Sequence, residues 1–182
     1  MGGGETSRDP GEDSLRETEK KATGAAEKIV KRLINNKQTL ALAESCTGGL
    51  VSELITRISG ASTVFWGSFI CYTKAAKERM LGIDGDLLAR FGLVSGETAR
   101  EMAVGALRLS GVSLAASVTG LAGPLGDGGG LPVGTVWTAV AVREGREGYS
   151  VTEKEFFFQG SRAEVRTRAA AAVLEELLKR EQ

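Results

Sequence analysis

Residues Leu42 to Gly49 read L-A-E-S-C-T-G-G. The apolar run from Thr39 to Ala43 stops at Glu44, small and polar residues with two glycines follow, and an amphipathic run opens at Leu50. This pattern predicts a buried strand that turns sharply into a helix. The turn would place Ser45, Cys46 and Thr47 at a helix N-terminus, where unpaired N–H groups and the helix dipole favour negative charge. A hydroxyl nucleophile at Ser45 would then have the backbone at Cys46, Thr47 and Gly48 beside it to stabilise an oxyanion. The same residues admit plainer roles. Serine is among the best N-caps, and Cys46 reads as a small buried side chain or, at a helix start, as a thiol of lowered pKa.

Outward from this turn, the segment from about Lys21 to Asn36 carries Ala25, Ile29, Val30, Leu33 and Ile34 at helical spacing. Residues 1–21 are polar, glycine-rich and charged without periodicity, which predicts a flexible tail ahead of one domain over 22–182. Helices are expected over 49–58, 75–81, 85–91 and from a Ser95 cap to about Leu109, with strands at 64–72 and 113–118. A glycine-rich loop, Thr119 to Pro132, precedes strands at 134–142 and 149–158, which R-E-G-R-E-G joins as a hairpin. Residues 162–179 read as a long amphipathic helix. Early helix–strand alternation and a late hairpin predict an α/β fold, a single-domain mixed sheet with helices on its faces.

Composition narrows the chemistry. Lys plus Arg and Asp plus Glu are both 23 in 182 residues, so no global charge points to nucleic acid or an anionic membrane. No apolar run is long enough for a bilayer, and the N-terminus lacks a secretory h-region. Two cysteines, Cys46 and Cys71, make no disulfide framework and read as free thiols of a cytoplasmic protein. Histidine is absent, which excludes Ser-His-Asp and Cys-His catalysis within one chain and any histidine zinc site. A base must come from Lys, Tyr, Asp, Glu or a terminal amine, and no metal is expected.

F-I-C-Y-T-K-A-A-K, Phe69 to Lys77, leaves an apolar strand for a helix and sets Tyr72, Thr73, Lys74 and Lys77 near a strand end, where α/β sheets bind ligands. A lysine can serve as base when burial disfavours its ammonium; a solvated helix face is the alternative for these lysines. T-G-L-A-G-P-L-G-D-G-G-G-L-P-V-G, from Thr119, permits close backbone approach to an anion, though it matches neither a P-loop nor a dinucleotide fingerprint. Arg162 and Arg166, one turn apart at the start of the last helix, could hold a phosphate or could be ordinary surface arginines.

Taken in order, A-E-S-C-T-G-G, C-Y-T-K-A-A-K, T-G-L-A-G-P, P-V-G-T-V-W and Q-G-S-R-x-x-V-R resemble the C-terminal domain family of the competence/damage-inducible protein CinA, over residues of about 22–180. That domain also exists alone as nicotinamide mononucleotide amidohydrolase. The resemblance implies an α/β sandwich, usually a homo-oligomer, that needs no cofactor and hydrolyses nicotinamide mononucleotide to nicotinate mononucleotide and ammonia. It implies Ser45 as nucleophile and Lys77 as base, with Tyr72, Thr119 and Arg162 on family active-site positions. Gly120, Gly123, Arg162 and Arg166 would then hold ribose and phosphate.

Two departures from the family pattern stand out. Thr73 and Lys74 replace Ser-Asn, and Leu131 stands where a lysine often precedes P-V-G. A cation at Lys74 would lower the Lys77 pKa or crowd the pocket. These departures motivate two alternatives, a non-catalytic nucleotide-binding module and an amidase for another amide.

Overall fold

The structure is a computed structural model, and it describes residues 10–145 and 148–180, with side chains from Ser14 onward. Five strands form one sheet in the order β2-β1-β3-β4-β5. They are β1 (Leu40–Glu44), β2 (Phe65–Ile70), β3 (Leu114–Gly120), β4 (Thr135–Glu144) and β5 (Gly148–Phe157). β1 runs parallel to both β2 and β3, while β4 is antiparallel to β3 and β5. The expected mixed sheet is therefore split: a parallel half that sends helices off its strand ends, and an antiparallel half closed by hairpins.

Side-chain alternation along β1 sorts the two faces. Leu40 and Leu42 pack with α1 (Pro10–Asn36), α2 (Leu50–Thr56) and α6 (Arg162–Arg180). Ala41 and Ala43 point the other way, toward α3 (Lys74–Leu81), α4 (Gly85–Phe91) and α5 (Gly96–Ser110). The α5 face is lined by small residues, Ala41, Ala43, Ala115, Ala139 and Ala141 on the sheet and Ala99, Ala103 and Ala106 on the helix. Small side chains let that helix sit close against the strands. The result is an α/β/α sandwich with a core on each side of the sheet.

α1 begins at Pro10, not near Lys21, so the expected tail is helical over residues 10–20; residues 1–9 lie outside the described residues. The apolar stripe starts only at Ala22, which is why periodicity marked the later start. From Ser14 to Lys21 no side chain is buried, and Glu17 and Lys21 form an i,i+4 pair at 2.9 Å. The hairpin expected between the last two strands is present as the Glu144↔Gly148 pairing, with Arg146 and Glu147 outside the described residues. β3 runs two residues past its expected end, so Thr119 and Gly120 belong to the strand.

The glycine-rich loop after β3 is sealed at its base. Leu121 N–H donates to Thr135 O (2.9 Å) and Gly134 N–H to Leu121 O (2.7 Å), while Leu125 at the tip is exposed.

Candidate functional site

The site forms where β1 and β3 end side by side. Ser45 follows the last residue of β1, and its N–H donates to Val118 O on β3 (3.0 Å). A turn over 45–49 then leads into α2, with φ of 59° at Gly48 and 99° at Gly49, conformations that favour glycine at both places. The helix start differs from expectation in one respect. Its N-terminus is already occupied by the protein's own anion, the fully buried Glu44 carboxylate, which accepts from the N–H groups of Gly49, Val51 and Ser52. Ser45 is thus not the N-cap.

Lys77 comes from the first turns of α3 and is 1% exposed. Its Nζ lies 3.0 Å from Ser45 Oγ and donates to the Cys71 carbonyl at 2.9 Å. Burial holds the Lys77 pKa below its usual 10.5, because removing an ammonium from water penalises the charged form. Burial pushes the Cys46 thiol the other way, up to about 12, so Cys46 is a small buried side chain rather than a nucleophile.

Both groups open onto a cavity of about 360 Å³, within the range of small-molecule sites. Of the sequence-predicted residues, Ser45, Cys46, Tyr72, Lys77, Thr119, Gly120 and Arg162 line it. Arg162 donates to Gly123 O (2.8 Å) and to Tyr72 Oη (2.9 Å), tying the last helix to the glycine loop and to the end of β2. The Thr119 hydroxyl donates to Leu93 O at 2.7 Å.

Four predicted site residues do not line the cavity. Thr47 is buried, with its hydroxyl on Glu44 (2.7 Å). Gly48 N–H is spent on Ser45 O (3.1 Å), which removes it from the expected oxyanion donors. Gly123 contributes through its carbonyl to Arg162. Arg166, expected on a phosphate, donates instead to Thr47 O at 2.6 Å. The departures also fall elsewhere. Lys74 makes an exposed i,i+4 pair with Glu78 (3.6 Å) and is not among the groups that shift Lys77. Leu131 is 38% exposed and does not line the cavity.

Sequence reasoning missed Leu93, Val94, Leu121, Ala122 and Asp127 as cavity residues. Asp127 was visible as the only acid in the glycine loop. Leu93 and Val94 sit between α4 and α5 and gave no signal beyond their hydrophobicity.

Residues 22–180 match the family model described as CinA C-terminal domain. The chain belongs to the CinA C-terminal domain family. Its relatives include a CinA-like protein from Geobacter sulfurreducens, 45% identical over 152 residues that cover 83% of this chain and 36% of the relative. A CinA-like protein from Thermotoga maritima is 40% identical over 153 residues, 84% of this chain and 36% of that one. The chain thus spans about a third of the length of these curated relatives.

Among solved CinA-family structures, the competence/damage inducible protein CihA from Agrobacterium tumefaciens superposes with a TM-score of 0.84 at 37% identity, covering 89% of this chain and 96% of that one. A CinA superfamily protein from Escherichia coli gives 0.81 at 29% identity, covering 87% and 89%. No helix among the described residues is long and apolar enough to cross a membrane.

Proposed function

We propose that this CinA-family domain is an amidohydrolase that uses Ser45 as nucleophile and Lys77 as base, with nicotinamide mononucleotide as substrate. The observation that carries this reading is the 3.0 Å approach of a buried lysine to a cavity-lining serine. Neutral Lys77 accepts the Ser45 proton as Oγ attacks the amide carbon, and the carbonyl becomes an oxyanion. Collapse of the tetrahedral adduct breaks the C–N bond, and the Lys77 ammonium returns its proton to the leaving nitrogen, which departs as ammonia. Water, deprotonated by Lys77, then attacks the acyl carbon; the bond to Ser45 Oγ breaks, Lys77 returns the proton to Oγ, and the acid leaves. The Cys71 carbonyl holds Nζ in place throughout.

Arg162 is the arginine that lines the cavity and suits the phosphate. Leu93 and Val94 offer an apolar wall for an aromatic ring. A homo-oligomer belongs to the same reading, supported by the resemblance and by Trp66 and Ile70 exposed on the open edge strand β2. A cytoplasmic setting is supported by two free buried thiols.

The departures at Lys74 and Leu131 lie outside the cavity, so they lend the non-catalytic alternative no geometric support. Ammonia release from nicotinamide mononucleotide by wild type, Ser45→Ala and Lys77→Ala tests the proposal. Turnover by wild type, lost about 10³-fold or more in folded Ser45→Ala, is the expected result. A folded wild type that binds the nucleotide and releases no ammonia overturns it in favour of a binding module; turnover of other amides alone replaces the substrate.

A further inference from the structure

Glu44 is fully buried, and the reaction above gives it no part. Its carboxylate accepts five hydrogen bonds: from Thr47 Oγ1 (2.7 Å), Gly49 N (2.9 Å) and Val51 N (3.2 Å) on one oxygen, and from Ser52 N (2.9 Å) and Ser52 Oγ (2.5 Å) on the other. A strand residue thereby supplies the cap that Gly49, which has no side chain, leaves to be made. The main chain of Glu44 reaches the base as well. Its carbonyl accepts from Cys71 N–H (2.9 Å), and the Cys71 carbonyl in turn holds Lys77 Nζ. From the opposite side Arg166 fixes the Thr47 carbonyl.

The backbone donors of this turn can be accounted for one by one. Ser45 N–H goes to Val118, Gly48 N–H to Ser45 O, and Gly49 N–H to Glu44. Among the described residues, no oxygen accepts from the N–H of Cys46 or Thr47. Cys46 adjoins Ser45 on the cavity wall. We propose that Glu44 is a positioning residue: by taking the Thr47 hydroxyl, the Gly49 N–H and the donors of the α2 start, it fixes the turn so that the Cys46 N–H stands ready for the oxyanion formed at Ser45. The inference rests on Ser45 as nucleophile and not on which amide is hydrolysed. Negative charge matters here because five donors converge on two oxygens; a glutamine would turn an NH2 group against some of them.

The test uses two readouts on wild type, Glu44→Gln and Ser52→Ala. One is the rate at which a small fluorophosphonate modifies Ser45, followed by intact mass. The other is amide hydrolysis, resolved into kcat, KM and pH profile. Loss of one oxyanion donor is worth about 10²-fold. Folded Glu44→Gln is expected to lose roughly that in kcat and in phosphonylation, with KM within about threefold and the midpoint of the pH profile unmoved. Ser52→Ala, which keeps the carboxylate and removes one of its donors, should lose several-fold in both, and it decides the matter if Glu44→Gln does not fold.

Rates within about twofold of wild type in the folded variants overturn the proposal. So does a Glu44→Gln defect that comes with a moved midpoint of the pH profile, because the glutamate would then be acting on Lys77. Wild type that is phosphonylated but inert toward nicotinamide mononucleotide refutes the substrate and leaves the labelling rates to decide the role of Glu44. Wild type never modified at Ser45 refutes both.

Discussion

Between β1 and α2 the chain turns over residues 45–49; between β2 and α3 it turns over 71–73. Both turns leave the parallel half of the sheet at the same end, and each delivers one member of the Ser45–Lys77 pair. They are secured differently. The first is held from inside the core by Glu44, from β3 by Val118 and from α6 by Arg166. The second is tied to β1 through Cys71 N–H on Glu44 O and to α6 through Arg162 on Tyr72 Oη, but no buried carboxylate gathers its donors, and its helix starts from a local, exposed cap in which Thr73 Oγ1 accepts from Ala76 N–H (3.1 Å). The contrast follows from what each turn presents. Backbone N–H groups can be aimed only by fixing the backbone itself. A lysine head group sits at the end of four methylenes and can be aimed by its own burial and by one carbonyl, here that of Cys71.

The largest effect should come from the head group of the second turn. Lys77→Met removes the proposed base and is expected to cost about 10³-fold in kcat. In wild type, kcat/KM should rise with pH and level off below 10.5, since burial lowers the Lys77 pKa from that value. Stability carries the same signature with a definite sign. Between the lowered pKa and 10.5 the unfolded chain binds a proton that the folded chain does not, so folding stability rises with pH through that window. Urea titrations across pH should show this slope in wild type and not in Lys77→Met; the same slope in both would mean that the lysine is charged in the folded protein.

Arg162→Ala comes next. It removes the cavity's guanidinium and its links to Gly123 and Tyr72, and should raise KM about 10- to 100-fold, as expected for a charge-assisted contact, with a smaller change in kcat. A fall in kcat at constant KM would instead assign Arg162 to the transition state.

The smallest effect tests the comparison most directly. Thr73→Ala deletes the local cap and should cost about 1 kcal/mol of stability while leaving kcat within about twofold. If it slowed catalysis as strongly as Glu44→Gln, the two turns would be equally demanding and the contrast between them would fail.

The layering of the fold was legible because its signals are periodic. Helical spacing from Ala25 to Ile34 marked α1, the apolar run ending at Ala43 marked a buried strand, and Ser95 marked the start of α5. The Ser45–Lys77 pairing came through a family resemblance, since the two lie 32 residues apart and no local pattern shows their meeting. Glu44 was read only as the end of an apolar run. That its carboxylate turns back to cap α2 depends on where the helix packs. Arg166 looked like an anion ligand for the same reason: sequence places it one turn from Arg162 but does not show that the Thr47 carbonyl lies within its reach. The start of α1 was missed because residues 14–21 contribute no buried side chain and so no apolar stripe to read.

The sealed base of the glycine-rich loop separates two demands that often conflict in enzyme redesign. The Leu121, Gly134 and Thr135 bonds keep the β3–β4 register whatever the tip contains, and loop-closure entropy grows only slowly with length. Residues 125–131 therefore form an exchangeable cassette. Its Asp127 lines the cavity, while neither Ser45 nor Lys77 depends on it for position. A combinatorial library confined to that cassette varies one wall of the cavity with the Ser45–Lys77 pair left in place.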